Sequence, residues 1–398
     1  MSDVTARDDF PWVGLVSLAF GYFMVGTSSL CVIGLVPVIS ADLGIAAPDI
    51  AILVTVFALT FAIVAPTGQV VLKRLSRTQI LLLGLALIAL GMGVGATAAN
   101  YEVLFASRII LGVGGALVSP MCSAIGSEMT SPETQGRAMA VVFSGLAFST
   151  VLGVPLTAYL GTIVGWRMVM ALIAALAVIS FVIVLVKVRD QKSSASTTFE
   201  HIFSLMIQRR SGMAILSALL QMAAMFCTYA LIAPYLIARY GISTELVSFY
   251  LLLYGACGIL GNVFVGRISD RIGPTKTILL SCLGSIAGIA FVWGLGSTAT
   301  LALLGMCVWS AFGMMFHAPQ QHRIANMSSE HRGLMMALNA SALYLGMSVG
   351  AWLSRTVFVE LGYEFLPLAS IAGLLICIAT LLISAWERRK APADSPHT

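Results

Sequence analysis

Charge is what this sequence has least of. Only 10% of its 398 residues are Asp, Glu, Lys or Arg, against 59% hydrophobic residues and a mean hydropathy of +0.97. That shortage excludes a string of soluble domains, because too little polar surface remains to coat cores of this size. Cysteine spacing is equally uninformative about metals. The seven cysteines (31, 122, 227, 257, 282, 307 and 377) lie inside apolar runs with no CxxC or Cys/His pattern, so no metal site is expected and they read as small packing residues. Cys31 stands apart, since it belongs to a polar patch described below. No HExxH, no nucleophile with an evident base and no soluble signalling domain occur, which argues against an enzyme or a sensor. The glycine-rich "GVGGA" and "GMGVG" follow no strand and carry no Lys-Ser/Thr, so they are close-packing surfaces and not phosphate loops. The first ten residues, "MSDVTARDDF", hold three Asp against one Arg, the opposite of the basic region of a secretory signal, and the N-terminus is expected to be retained.

What is present is apolar length. Runs of the ~20 residues needed to cross a bilayer as helix recur along the chain, too continuous for the alternation of a β-barrel. They predict an all-α membrane protein with twelve spans, near 13–39, 49–72, 79–99, 103–126, 138–161, 167–187, 213–236, 246–267, 277–296, 299–318, 334–357 and 365–386. If the N-terminus is cytoplasmic, every Lys and Arg except Arg108, Arg167, Arg239 and Arg355 falls on the cytoplasmic side. This bias places both termini in the cytoplasm of a multi-pass membrane protein, for which the inner (plasma) membrane of a bacterium is the expected location. The net charge of +5 and pI near 8.9 follow from it and call for no nucleic-acid partner. The expected partners are the lipid bilayer and a small-molecule substrate, with the chain a monomer.

One segment has soluble composition: "VRDQKSSASTTFEHIFSLMIQRRSG", residues 188–212. It divides the chain into a six-helix bundle at 1–187 and a second at 213–398 with a short cytoplasmic tail. Within it, "FEHIFSLMI" is amphipathic enough to lie along the membrane surface. The halves repeat one another. "PVISADLGI" at 37–45 matches "PYLIARYGI" at 234–242, an offset of 197; Gly68, Lys73 and Leu81 pair with Gly266, Arg271 and Leu279 at 198, and Ser76 with Gly273 at 197. Two related halves are what a carrier uses to rock about a central site.

Four stretches carry a family likeness. "GRISDRIGPTK" is similar to the G-x-x-x-D-R-x-G-R loop of the major facilitator superfamily through Gly266, Asp270, Arg271 and Gly273, with Pro274 for the last basic residue. The first-half copy keeps Gly68 and Lys73 but has Leu72 for the acid and, one residue out of register, Ser76 for the second glycine followed by Arg77. In span 4, "RIILGVGGA" resembles R-x-x-Q-G-x-G through Arg108, Gly112 and Gly114, with Leu111 for the Gln. In span 5, "GLAFSTVLGVPLTAYLG" resembles the drug:proton antiporter stretch through Gly145, Gly153, Pro155 and Gly161, Val154 separating its Gly and Pro. "RGLMMALNASALYLGMSVGAWL" in span 11 is close to sugar-efflux and arabinose-efflux-like permeases.

The resemblance implies two pseudo-symmetric six-helix bundles, no cofactor, and a secondary active transporter. Its function is expected to be proton-coupled export of a small organic compound (drug, sugar-like or other metabolite) by alternating access. The alternative is a facilitator or importer of a small anionic solute without proton coupling. The cavity between spans 1, 4, 7 and 10 would be lined by Phe23, Thr27, Ser28, Cys31, Arg108, Gln221, Tyr229, His317, Asn339 and Tyr344. Arg108 lies about six residues, roughly 9 Å, into span 4, where an Arg faces a cavity or a partner unless it reaches out to the headgroups. No carboxylate stands at mid-depth in spans 1, 4, 7 or 10, which leaves it backbone carbonyls, polar side chains or an anionic substrate. Asp270 would accept hydrogen bonds from a helix N-terminus and pair with an Arg, latching the cytoplasmic side; otherwise that loop is a solvated turn. The acid such efflux permeases carry after a Thr in span 1 is replaced by Ser29. His317, within span 10, is then the candidate proton carrier, or else a packing residue ahead of Pro319.

Overall fold

The computed structural model describes residues 10–72, 74–131, 134–190, 209–295, 298–325, 327 and 332–390. Among them are twelve helices long and apolar enough to cross a membrane. Spans 1 to 4 are Trp12–Leu43, Ala47–Val71, Arg77–Ala96 and Tyr101–Glu128. Span 5 is Gln135–Phe148 and Val154–Val164 joined through a π-helical turn at Ser149–Gly153, and span 6 is Trp166–Lys187. Span 7 is Arg209–Tyr229 followed by Ile232–Tyr240; spans 8 and 9 are Thr244–Ile272 and Pro274–Ala290, the latter ending in a π turn at Phe291–Leu295. Span 10 is Ala299–Met314 and His317–Ala325; span 11 is Arg332–Leu361, and span 12 is Leu366–Lys390 after a short 3₁₀ turn. The amphipathic piece read at 199–207 and Lys73 lie outside the described residues.

Proline explains where three spans break. A helical proline removes one N–H and its ring crowds the carbonyl four residues earlier. Pro155, Pro234 and Pro319 are each four residues past Val151, Ala230 and Met315, the positions of the π turn in span 5 and of the breaks in spans 7 and 10. Span 10 continues through Ile324, six residues beyond the expected end, so His322 shares its membrane-spanning run with His317.

The internal repeat is visible in backbone and charge together. Gly44 and Gly241, 197 apart, both end a helix in the left-handed conformation, at φ 65°, ψ 26° and φ 63°, ψ 26°. Gly165 and Gly362, again 197 apart, both precede a helix at φ 79°, ψ 156° and φ 96°, ψ 163°, a region costly for any residue with a Cβ. Between these turns Asp42 of span 1 pairs with Arg167 of span 6 at 2.6 Å, and Arg239 of span 7 pairs with Glu364 before span 12 at 3.2 Å. The positions correspond across the repeat while the signs are exchanged. A mispaired corner between halves would oppose Asp42 to Glu364 and Arg167 to Arg239, so the reversal disfavours wrong docking of the bundles.

These pairs are close to half exposed and worth about 0.2–1 kcal/mol each. Asp42→Arg should lower the unfolding temperature by about 1–3 °C, and adding Arg167→Glu, which copies the second half's arrangement, should restore it; thermal unfolding in detergent reads both.

Candidate functional site

The two halves meet mainly through spans 2 and 11, which run antiparallel. Three layers of contact follow from the end opposite the termini toward the middle. Arg355 Nε donates to Asp49 Oδ1 at 2.6 Å. Six residues along span 2, Thr55 Oγ1 donates to the Ser348 carbonyl at 3.3 Å while Ser348 Oγ donates to the Thr55 carbonyl at 3.1 Å. Six residues further, the Phe61 ring stacks on Tyr344 with centroids 3.5 Å apart, and Phe57 lies tilted beside it. At 1.5 Å per residue the layers are about 9 Å apart along span 2.

The opposite halves of the same spans differ. One hydrophobic core runs continuously through both bundles, but toward the termini spans 7, 10 and 11 form a separate small core of Ala214, Ile215, Ile324, Met335, Leu338 and Ala342. Gln320 Nε2 ties it to the Ala214 carbonyl at 2.6 Å. Nothing lies within 4 Å of a Cβ added at Gly266, and Arg267, Asp270 and Arg271 are exposed. Asp270 makes no ion pair among the described residues. Gly273 supplies a tight turn between spans 8 and 9, at φ 83°. In the first half Arg77 pairs with Glu128 of span 4, and Ser76 donates to Asp190, so this loop is bound within its own bundle.

The span 5 motif has a packing explanation. A Cβ at Gly145 would stand 1.8 Å from the Ala19 carbonyl oxygen, one at Gly153 2.5 Å from Thr27 Oγ1, and one at Gly161 2.3 Å from Leu35. All three neighbours are on span 1, so these glycines let two helices touch nearly backbone to backbone. The π turn after Phe148 presents Thr150 and Val151 on the other side, where Gly255 of span 8 packs against them. Span 5 thus carries contact from one half to the other.

Of the predicted cavity residues, the structure brings three into one cluster. Arg108 is fully buried; its Nη1 donates to the Ser28 carbonyl at 2.9 Å, and Nη2 approaches Cys31 Sγ at 3.8 Å. Its Nε has no partner. Thr27 lies one turn before Cys31 on the same face of span 1, with its own hydroxyl unpartnered. Phe23 is half-buried a further turn away. Tyr344 belongs to the span 2–span 11 interface. Tyr229 joins a buried group of the second half, stacked on Tyr254 at 4.8 Å and edge-on to Trp309 at 6.2 Å. Gln221 Oε1 and Asn339 Oδ1 are buried without partners in spans 7 and 11. His317 opens the last stretch of span 10, edge-on to Phe316 at 5.9 Å, away from the Arg108 cluster. The sequence reading missed the Asp49–Arg355 pair; each residue looks like an ordinary span-end charge, and only the meeting of spans 2 and 11 couples them.

The Major Facilitator Superfamily family model matches residues 18–351 and 214–398. The chain belongs to the Major Facilitator Superfamily. It is 29% identical to the inner membrane transport protein YdhP of Escherichia coli (strain K12) over 381 residues, 95% of this chain and 96% of that protein. It is 26% identical to the chloramphenicol resistance protein of Streptomyces lividans over 394 residues, covering 96% and 98% of the two chains. In fold it is similar to a crystal structure of a variant of the nucleoside transporter NupG, with a TM-score of 0.76 at 16% identity over 94% of this chain and 99% of that one. It is therefore a twelve-span membrane protein of a family of transporters, with secondary transport as its supported activity and drug-efflux-like proteins among its relatives.

Gly145→Val should separate spans 1 and 5 and abolish monodisperse protein on size exclusion, because its nearest obstacle is backbone; Gly136→Val, with nothing within 4 Å, should leave the profile unchanged.

Proposed function

We propose that the chain exports a small organic compound across the inner membrane by alternating access, in exchange for protons. The observation that carries this reading is the concentration of inter-half contacts at the end opposite the termini, in the Asp49–Arg355, Thr55/Ser348 and Phe61–Tyr344 layers. With the basic residues gathered at the other end, that end is the cytoplasmic one by charge bias. The conformation is then closed to the outside and loosely held inside, the state in which an exporter loads. Asp270, without an ion pair among the described residues, agrees with it, since a cytoplasmic latch is open when that side is open. The name of the Streptomyces lividans relative supports a drug-like compound as cargo.

Proton exchange needs a side chain within the spans that can take up and release a proton. Among the described residues no carboxylate is buried, and of the two histidines in span 10, His317 and His322, we assign the role to His317. Inverted membrane vesicles should accumulate a transported dye when given an inward-acid pH gradient, and His317→Asn should remove the gradient dependence while leaving slow equilibration; uptake indifferent to the gradient in the unaltered protein contradicts proton exchange. A disulfide formed by oxidising the Thr55→Cys/Ser348→Cys variant should stop transport, and reduction should restore it. Normal transport by the cross-linked protein would show that spans 2 and 11 need not part.

A further inference from the structure

Arg108 is a permanent cation sealed in the protein without a counter-charge. Arginine stays protonated in proteins, and a buried charge is held only where another charge or a full set of hydrogen bonds compensates it. Arg108 is 0% exposed, forms no ion pair, and no carboxylate is buried anywhere among the described residues. Its Nη1 is satisfied by the Ser28 carbonyl at 2.9 Å. Nε has no acceptor, and Nη2 has only the sulfur of Cys31 at 3.8 Å, a weak acceptor. Nε–H and Nη2–H point the same way from the guanidinium. They form the fork edge that receives the two oxygens of a carboxylate.

The surroundings say what else such a compound needs. One and two turns along span 4, Gly112 and Gly115 face span 2: a Cβ at Gly112 would meet Thr60 at 2.6 Å, and one at Gly115 would stand 3.2 Å from Phe57 Cζ and 3.4 Å from Phe61 Cδ2. The cation is therefore followed by a wall of aromatic rings. Because Phe61 is also stacked on Tyr344 of the other half, a compound lying along this wall would touch the contact that closes the outer side.

We infer that Arg108 is the anion-binding subsite for the transported compound, which is a small organic carboxylate with an apolar, ring-bearing body. The carboxylate takes the Nε–Nη2 edge, beside the Cys31 Sγ that both Nη atoms approach, and the body lies toward Phe57 and Phe61. This rests on the reading of the chain as a transporter and adds the class of its cargo.

Binding to the purified full-length protein in nanodiscs, with three matched acid and amide pairs as probes, tests it: benzoate with benzamide, salicylate with salicylamide and nicotinate with nicotinamide. At least one acid should bind ten or more times more tightly than its amide. Arg108→Gln should bring that ratio to about one. Arg108→Lys, which keeps the charge but not the fork, should reduce it at least threefold and serves if Arg108→Gln does not fold. Equal binding of every acid and amide, binding of no acid, or an acid preference unchanged in Arg108→Lys overturns the assignment. Gradient-driven export in vesicles is scored separately: a protein that prefers acids through Arg108 but exports nothing defeats the exporter reading and keeps the subsite, and the converse keeps the exporter and removes the subsite.

Discussion

Spans 2 and 11 hold the two halves together through contacts that change character with depth. At the surface is an exposed ion pair, then a reciprocal pair of hydroxyl-to-carbonyl bonds, then stacked rings near the middle. An exposed pair is worth about 0–1 kcal/mol, a neutral hydrogen bond about 0.5–1.5, and an aromatic pair about 0.5–1.5 beyond its burial. The layers together amount to a few kcal/mol. That magnitude matters, because a conformational equilibrium can be moved only by as much as a ligand distinguishes its two states. A contact of this strength can hold the side opposite the termini shut and still be weak enough for one bound compound to release.

What moves must be matched by what does not. Each half is fixed at its outer corner by a left-handed glycine, an extended glycine and an ion pair at positions 197 residues apart, with the charge signs reversed between halves. The glycine face of span 5 holds span 1 at backbone distance. Rigid bundles and a weak seam are the mechanical requirements of rocking, and the two rest on different chemistry: close packing and caps inside each half, thin polar and aromatic layers between them.

The fold was legible because its cause is simple. Apolar length specifies a spanning helix without reference to any other helix, and all twelve spans fall where the sequence places them, apart from extensions at span ends such as the run from Pro319 to Ile324. The repeat was legible in part: the Pro37/Pro234 and Gly44/Gly241 matches pointed to it, whereas the exchanged ion pairs do not show as identities. Among site residues, Arg108 announced itself by depth, since charge inside a span demands compensation wherever it lies. Its partners did not. The Ser28 carbonyl is backbone, which no side-chain pattern marks, and Asp49 and Arg355 are separated by 306 positions and joined only by the meeting of the halves.

The central claim is that this conformation is shut on the side opposite the termini and opens there by parting spans 2 and 11. Pulsed electron–electron spin resonance between labels on the outer ends of these spans, at Ala46 and Val359, measures it directly. The account predicts one short distance in the resting protein, and a second, longer population when Asp49→Asn and Arg355→Gln remove the outermost layer. A single distance unchanged by those substitutions and by transported compound would contradict it.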